Sequence, residues 1–341
     1  MAKRMNSSDS MDQQQSGQDL HGQQQAAISR RDLMMGAGAA GIAGALAAPA
    51  SAATQPDCSQ VVEWTLDLDK PKDNLLALLK LQADLSGADV IGGFPGQVWG
   101  WVPGEGYKLL FNTYGIGASH IEEVENGFRF FHRELLYYMD PKTGEVLNAW
   151  DNPYTGKRNE VRHILNDPVN RFYPLSGGRF APPYPYEVNG NDLVFRISVF
   201  RAEENPLNRA DYPLHSADDM YQSAELWGVS GRIEEVMDPE VTSASCVTSW
   251  SRISQWLPFM EMGDAPGIMV FHSTAYKLMG GAAELPPAVL KYTEENHPEY
   301  LASPREWQGL KVNESQVTET KKEIDRRWQE DGPAGSVFEI K

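Results

Sequence analysis

Runs of β-branched and aromatic residues, each ended by turn residues, fill most of the chain between positions 61 and 278. They cover 61–68, 97–102, 107–114, 118–125, 127–139, 145–151, 158–166, 193–202, 220–236, 243–256 and 267–278. Val, Ile, Phe, Tyr and Trp favour strands, and this spacing of short runs is typical of all-β proteins. Turn sequences such as Asn126-Gly127 and Asn189-Gly190 join neighbouring runs, as they do in hairpins. The sequence therefore predicts an all-β fold of antiparallel strands.

Three helices are expected at the periphery of this sheet. Residues 73–85 place leucines near helical spacing, and Pro286-Pro287 can open a second helix that ends before His297-Pro298. The third helix is expected from Thr320 to about Trp328, because Thr320 and Glu323 have capping-box spacing. This third helix should close one end or edge of the sheet.

Charged and histidine side chains interrupt the apolar runs, and they bear on how the sheet is arranged. They are Arg129, His132, Arg133, Glu134, His163, Arg196, Arg252 and His272. A long sheet usually closes into a barrel or folds into a sandwich, because both arrangements hide strand edges. If some of these polar side chains point inward, the interior is a lined cavity. We therefore expect an antiparallel β-barrel, or a barrel-like sheet, that encloses a pocket.

The first 52 residues have the pattern of a twin-arginine signal peptide. A polar leader precedes Arg30-Arg31, a weakly apolar stretch follows to Ala48, and Ala50-Ser51-Ala52 is a small-residue cleavage site. The alternative of a membrane anchor is disfavoured, because glycines make the stretch only mildly hydrophobic. We expect export by the twin-arginine machinery, cleavage before Ala53, and a single β-rich domain over residues 53–341. That domain would work in the periplasm or outside the cell, without stable membrane insertion.

The charge of the chain excludes some partners. It contains 30 Lys+Arg and 47 Asp+Glu, for a net charge of −17. The signal peptide removes equal numbers of acidic and basic residues, so the exported part keeps this charge. An acidic protein without a Lys/Arg-rich block repels nucleic acid and anionic lipid, and we expect it to bind neither. Twin-arginine substrates fold before export and sometimes carry a cofactor, so a cofactor is permitted but not identified.

Two cysteines, Cys58 and Cys246, would lie in a compartment where disulfides persist. One pairing is possible, and it would join the start of the exported chain to a late strand. The alternative is a reactive thiol at Cys246, for which the sequence has no local signature.

Several segments together resemble a family of uncharacterised proteins, domain of unknown function 1838. The segments are residues 137–147 (YYMDPKTGEVL), 150–156 (WDNPYTG), 163–170 (HILNDPVN), 249–260 (SWSRISQWLPFM) and 297–300 (HPEY). The likeness extends over most of the exported chain. It assigns no catalytic residue, cofactor or substrate.

Familiar catalytic motifs are missing from the sequence. It has no dinucleotide-binding glycine turn, Walker phosphate loop, His-Glu-x-x-His zinc helix or Gly-x-Ser-x-Gly elbow. Nicotinamide oxidoreductases, nucleotide hydrolases, helix-based zinc peptidases and α/β-hydrolases are therefore not expected.

His132 and Glu134 are the leading candidates for chemistry. Residues two apart on a strand share a face, so this imidazole and carboxylate could form a proton-transfer pair. The full acid-base set that we consider is His132, Glu134, His163, Asp167, Arg252 and His272. In this set Arg252 would stabilise a developing oxyanion. A weaker alternative is a metal site formed by His132, Glu134, His163 and His272. Each of these residues could instead have a structural role.

Aromatic residues are abundant in the strand-like runs. Most must be core, but some could line a pocket for a hydrophobic or aromatic small molecule. The candidates are Trp99, Tyr137, Trp150, Trp250 and Trp256.

Two kinds of function fit these patterns. The first is an exported enzyme, a lyase, isomerase or hydrolase, that acts by acid-base chemistry on such a molecule. The second is a non-catalytic carrier with the same pocket. An enzyme should place a histidine within hydrogen-bond reach of Glu, Asp or Tyr beside an open cavity.

Overall fold

The computed structural model describes residues 65–178, 180–216, 218–308, 316–332 and 337–340. The expected signal peptide and Cys58 lie outside these residues. The strands are β1 Val90–Val102, β2 Gly106–Val124, β3 Gly127–Met139, β4 Ala149–Asp151, β5 Arg158–Glu160, β6 Ile164–Asn166, β7 Arg171–Pro174, β8 Tyr186–Asn189, β9 Asp192–Glu204, β10 Met220–Arg232, β11 Val247–Ser254 and β12 Ile268–Leu278. The α-helices are α1 Pro71–Gln82, α2 Ile233–Met237, α3 Pro287–Asn296 and α4 Gln316–Asp331, and short 3₁₀ turns lie at Pro258–Met260, Gly281–Glu284 and Pro298–Leu301.

Ten of these strands form one antiparallel sheet. Its order is β6-β3-β2-β1-β12-β11-β10-β9-β8, and β7 also pairs with the edge of β3. Strands β4 and β5 form a separate small ladder. The prediction of an all-β, antiparallel fold with a few helices is confirmed.

The strand pairing of the described residues does not close the sheet into the predicted barrel. Within the described chain, β6 and β7 at one end of the order do not pair with β8 at the other. Helix α1 packs along both sides of this gap. Its Leu75 and Leu79 join Tyr173 of β7 in one apolar cluster, and its Leu78 joins Phe195 of β9 in another. The sheet is therefore an open one, with a helix where closing strand pairs would lie.

Strand β2 is longer than the sequence suggests. Two glycines that suggest a break between strands instead lie within β2, where neighbouring rings pack against them. A Cβ on Gly115 would come within 1.7 Å of the Phe94 ring, and one on Gly117 within 2.9 Å of the His132 ring. The predicted runs 107–114 and 118–125 therefore join into one strand. The predicted strand over 127–139 coincides with β3.

Other predicted strands are shorter than expected. Residues 65–68 form bends and turns, and 61–64 lie outside the described residues. The run 145–151 contributes only β4, and the run 158–166 divides into β5 and β6. The run 220–236 leaves the sheet after Arg232, because α2 buries Ile233, Val236 and Met237 in the cluster that contains Leu78.

The three predicted helices are present as α1, α3 and α4. Pro71 and Pro287 each lie in the first turn of a helix, where a backbone N–H, which proline lacks, would have no partner within the helix. The capping-box interpretation of Thr320 and Glu323 is wrong, because α4 begins at Gln316 and Thr320 lies inside it.

Asn74 ties α1 to the segment before β8, and its loss should be costly. The side chain is fully buried; its Nδ2 donates to Leu68 O and Tyr184 O, and its Oδ1 accepts from the Tyr184 N–H at 2.7 Å. Asn74→Ala leaves these backbone groups without partners, and we expect a loss of roughly 2–4 kcal/mol in the free energy of unfolding. Urea unfolding measures it. Asn296→Ala, at an exposed position, is the control and should change stability by less than about 0.5 kcal/mol. Equal effects would contradict the assigned role.

Candidate functional site

The concave face of the sheet lines a cavity of about 280 Å³. Its walls come from both ends of the strand order, with β3, β6 and Arg171 of β7 on one side and β9, β10 and β11 on the other. The sheet thus curves far enough to bring side chains from distant strands around one space.

Strand alternation puts His132 and Glu134 on the cavity side of β3. Both line the cavity, whereas Arg133 between them points to the opposite face, where its Nε lies 3.1 Å from Asp167 Oδ1. Gly117 of β2 stands opposite Glu134. Because any side chain at Gly117 would collide with the imidazole, this glycine leaves the space that His132 occupies.

The imidazole and the carboxylate are within reach of each other. His132 Nε2 lies 3.4 Å from Glu134 Oε2, and Glu134 Oε1 accepts a hydrogen bond from Asn166 Nδ2 at 2.9 Å. The backbone N–H of His132 donates to Asn170 Oδ1 at 3.1 Å. Asn166 and Asn170 therefore hold the two members of the pair from the neighbouring edge of the sheet.

Glu134 is held in its charged form. Burial alone would raise the pKa of this carboxyl, but the hydrogen bond and charge of His132, the amide of Asn166 and the guanidinium of Arg171 lower the pKa to about 2. The ionised carboxylate accepts a hydrogen bond from His132 Nε2–H, which leaves Nδ1, without a hydrogen-bond partner among the described residues, to accept a proton; the carboxylate then stabilises the imidazolium that forms.

Two guanidinium groups that line the cavity are those of Arg252, from β11, and Arg171, from β7. Arg252 of β11 donates from Nη2 to the Tyr221 hydroxyl, and its guanidinium carbon lies 5.7 Å from the centre of the Phe271 ring. Burial would lower the pKa of Arg171, but Tyr173, Glu134 and Glu225 raise this pKa, so the guanidinium stays positively charged. The cavity therefore combines a proton-accepting pair with fixed positive charge, which is the combination that stabilises a developing oxyanion.

Indole and phenyl rings supply the apolar part of the wall. Trp227 and Trp250 lie with ring centres 5.6 Å apart, and Trp250 Nε1 donates to Glu225 Oε2 at 3.3 Å. Trp256 also lines the cavity, and its Nε1 donates to Ala265 O. A flat hydrophobic ligand would find aromatic faces here.

Three of the five predicted ligand-binding aromatics lie away from the cavity. Trp150 packs in the core with its ring centre 4.8 Å from that of Phe111. Tyr137 is fully buried on the other face of β3, where its hydroxyl bonds Thr293 Oγ1. Trp99 pairs with Val270, next to the inward-facing Val98, and alternation turns it outward.

Only half of the predicted acid-base set lines the cavity. His132, Glu134 and Arg252 line the cavity, but Asp167 pairs with Arg133 on the other face. His272 is exposed on that outer face with Nδ1 3.0 Å from Ser251 Oγ, because its neighbour Ser273 takes the inward position on β12.

His163 also lies outside the cavity lining, at the edge of β3. Its Nδ1 accepts from the Tyr138 N–H at 3.2 Å, and its ring meets Tyr137 edge-on. Consequently the alternative metal set of His132, Glu134, His163 and His272 is not brought together. Across the described ranges, no group of three or more His, Cys, Asp or Glu side chains is placed to hold a metal ion.

Sequence reasoning missed several residues of the cavity wall. Tyr221, Glu225 and Trp227 stand at alternate positions of the predicted run 220–236, so the alternation could have placed them on one face. Arg171 lies in the short strand β7, which no predicted run covers, and only the folded structure shows its position.

Cys246 lines the cavity near Lys277, at the end covered by α1. Burial raises the pKa of the Cys246 thiol and lowers the pKa of Lys277 to about 8. The Lys277 ammonium donates to the carbonyls of Lys80, Ala83 and Ala244, so its hydrogen bonds are made by the backbone. Because Cys58 lies outside the described residues, the expected disulfide stays a prediction.

His163 should make stability depend on pH. Burial, with a smaller effect from His297, lowers the pKa of His163 to about 4, well below the usual value near 6.5. Between these values the unfolded chain binds a proton that the folded chain does not, so stability falls as pH drops from about 6.5 to 4. The contribution is about 3 kcal/mol. Urea unfolding across this range should show a flatter profile for His163→Gln. Parallel profiles for the two proteins would contradict the assignment, since the other histidines are common to both.

No helix in the described ranges is both long and apolar enough to span a membrane.

Comparison with known proteins adds little chemistry. No curated protein matches the chain. A solved structure described as "Crystal structure of the outer membrane enzyme PagL" matches with 12% identity and a TM-score of 0.23, covering 56% of this chain and 99% of that one. A likeness this weak carries no argument. The family model described as "Protein of unknown function (DUF1838)" matches residues 87–322, more than half of the sequence, and the chain belongs to this family.

Proposed function

We propose that the chain is an exported enzyme that performs acid-base chemistry on a hydrophobic or aromatic small molecule in the cavity of its barrel-like sheet. The observation that carries this proposal is the His132–Glu134 pair, with Nε2 and Oε2 3.4 Å apart on the concave face. A histidine beside a charged carboxylate at the wall of an open cavity is the arrangement that proton transfer requires.

The roles of the residues follow from their positions. His132, whose Nε2–H donates to Glu134, takes a proton at Nδ1, and Glu134 stabilises the resulting imidazolium. Arg252, which lines the opposite wall, stabilises negative charge that develops on the substrate. The indoles of Trp227, Trp250 and Trp256 hold the apolar part of the molecule. In an isomerase or a lyase this proton comes from the substrate, and in a hydrolase it comes from the attacking water.

A carrier without catalytic activity is the second candidate. The observation that favours it is the aromatic wall, because Trp227 and Trp250 could bind a flat molecule without chemistry. The two candidates differ in what they do to the bound compound.

Location is part of the proposal. The twin-arginine pattern around Arg30 and Arg31, followed by Ala50-Ser51-Ala52, supports export to the periplasm or beyond.

Comparative mass spectrometry of small molecules tests the proposal. A hydrophobic extract of the source organism is incubated with the protein or with its His132→Gln variant, and the compounds bound and free are identified. We expect the unsubstituted protein to deplete one compound and form a product, and the variant to bind that compound unchanged. If both proteins bind a compound and neither alters it, the carrier function is favoured and the enzyme proposal fails.

A further inference from the structure

The cavity reverses the charge balance of the chain. The whole sequence has 30 Lys+Arg and 47 Asp+Glu, whereas the cavity is lined by four basic residues, Arg171, Arg201, Arg252 and Lys277, and only two acidic ones, Glu134 and Glu225. An excess of positive charge inside an acidic protein attracts an anion to that place in particular.

The two carboxylates do not neutralise the arginines by direct pairing. Glu134 bonds His132 and Asn166, and Glu225 accepts from the Trp250 indole. Lys277 is saturated by three backbone carbonyls. In the described part of the chain, no carboxylate forms an ion pair with Arg171 or Arg201. Arg171 makes a side-chain hydrogen bond with Tyr173, but a guanidinium has five N–H donors, so both groups retain donors for a ligand.

Arg171 and Arg201 come from opposite ends of the strand order. Arg171 lies on β7 and Arg201 on β9, so the curvature of the sheet makes them face the same cavity. Both are partly buried. A guanidinium in such a place binds a carboxylate more strongly than one in open solvent, because water screens it less.

Buried polar atoms elsewhere in the cavity wall point to a polar ligand as well. Ser273 is 3% exposed and lines the cavity, and its Oγ has no hydrogen-bond partner among the described residues. The same holds for Arg252 Nε. Unsatisfied buried polar groups are costly, and polar atoms of a ligand in the cavity would satisfy them.

We propose that the ligand of this cavity is an aromatic or hydrophobic carboxylate, whose anionic group is bound by Arg171 and Arg201 while its apolar part lies on the tryptophans. This proposal rests on the proposed function because it uses the same cavity. It does not require that a reaction takes place there.

Isothermal titration with two probes of equal shape tests the anion site. The probes are 2-naphthoate and its neutral counterpart 2-naphthamide, titrated into the purified full chain. We expect naphthoate to bind about tenfold more tightly than naphthamide. Arg171→Gln and Arg201→Gln should each weaken naphthoate binding about tenfold and change naphthamide binding less than about twofold.

Arg196→Gln is the matched control, because Arg196 is on the same strand as Arg201 but is exposed and paired with Glu187. It should leave the binding of both probes unchanged. If Arg171→Gln does not fold, as judged by circular dichroism, the binding of the two probes to Arg201→Gln alone tests the anion site. Equal binding of the two probes, or an equal effect of Arg196→Gln, overturns the anion site and leaves the proposed function standing. If neither probe binds, the carboxylate proposal is overturned, whereas the proposed function is decided separately by turnover of the extracted compound.

Discussion

Turnover of the substrate should fall about 10²–10⁴-fold when His132 is replaced by Gln, while the fold survives. Gln keeps a polar group of similar reach at the cavity wall but cannot accept a proton near neutral pH. The measurement is the steady-state rate on the compound identified by mass spectrometry, with thermal unfolding to show that the variant is folded.

His272→Gln is the control for this experiment. His272 is also a histidine on a strand of the main sheet, and it also contacts a hydroxyl, but it is exposed on the outer face. Its replacement should leave turnover within about twofold of the unsubstituted protein. Unchanged turnover in His132→Gln would remove His132 from the mechanism and favour the carrier.

Changing Arg30 and Arg31 together to Lys should leave nearly all of the protein in the cytoplasm as uncleaved precursor. The arginine pair is the feature that separates the twin-arginine route from general secretion, and Lys preserves the charge while removing that feature. Cell fractionation and immunoblotting measure the distribution.

Lys3 and Arg4, changed together to Gln, provide the control, because they are basic residues of the same leader outside the pair. This variant should be exported normally. Normal export of the Arg30→Lys, Arg31→Lys variant would refute the twin-arginine assignment.

Local sequence patterns were sufficient where a strand is defined by its own residues. Strand β3 was predicted over its full length, because apolar residues dominate it and Asn126-Gly127 marks the turn before it. The break expected between residues 114 and 118 was wrong for a non-local reason. Gly115 and Gly117 make room for Phe94 and His132, which approach from neighbouring strands.

The candidate site shows the same limit. Alternation within β3 was enough to put His132 and Glu134 on one face, since that relation needs only one strand. It could not show that His272, on β12, faces the opposite side, because this depends on the register between strands. Closure of the sheet was also beyond the sequence, because it depends on the place that α1 takes between the two edges.

The most direct test of the central claim is a crystal structure of the His132→Gln variant with the identified substrate bound. The account predicts that the compound lies in the cavity, with its proton-bearing atom within about 3.5 Å of the side chain at position 132. A compound bound outside the cavity, or one whose reacting atom lies beyond hydrogen-bond reach of that side chain, would contradict the account.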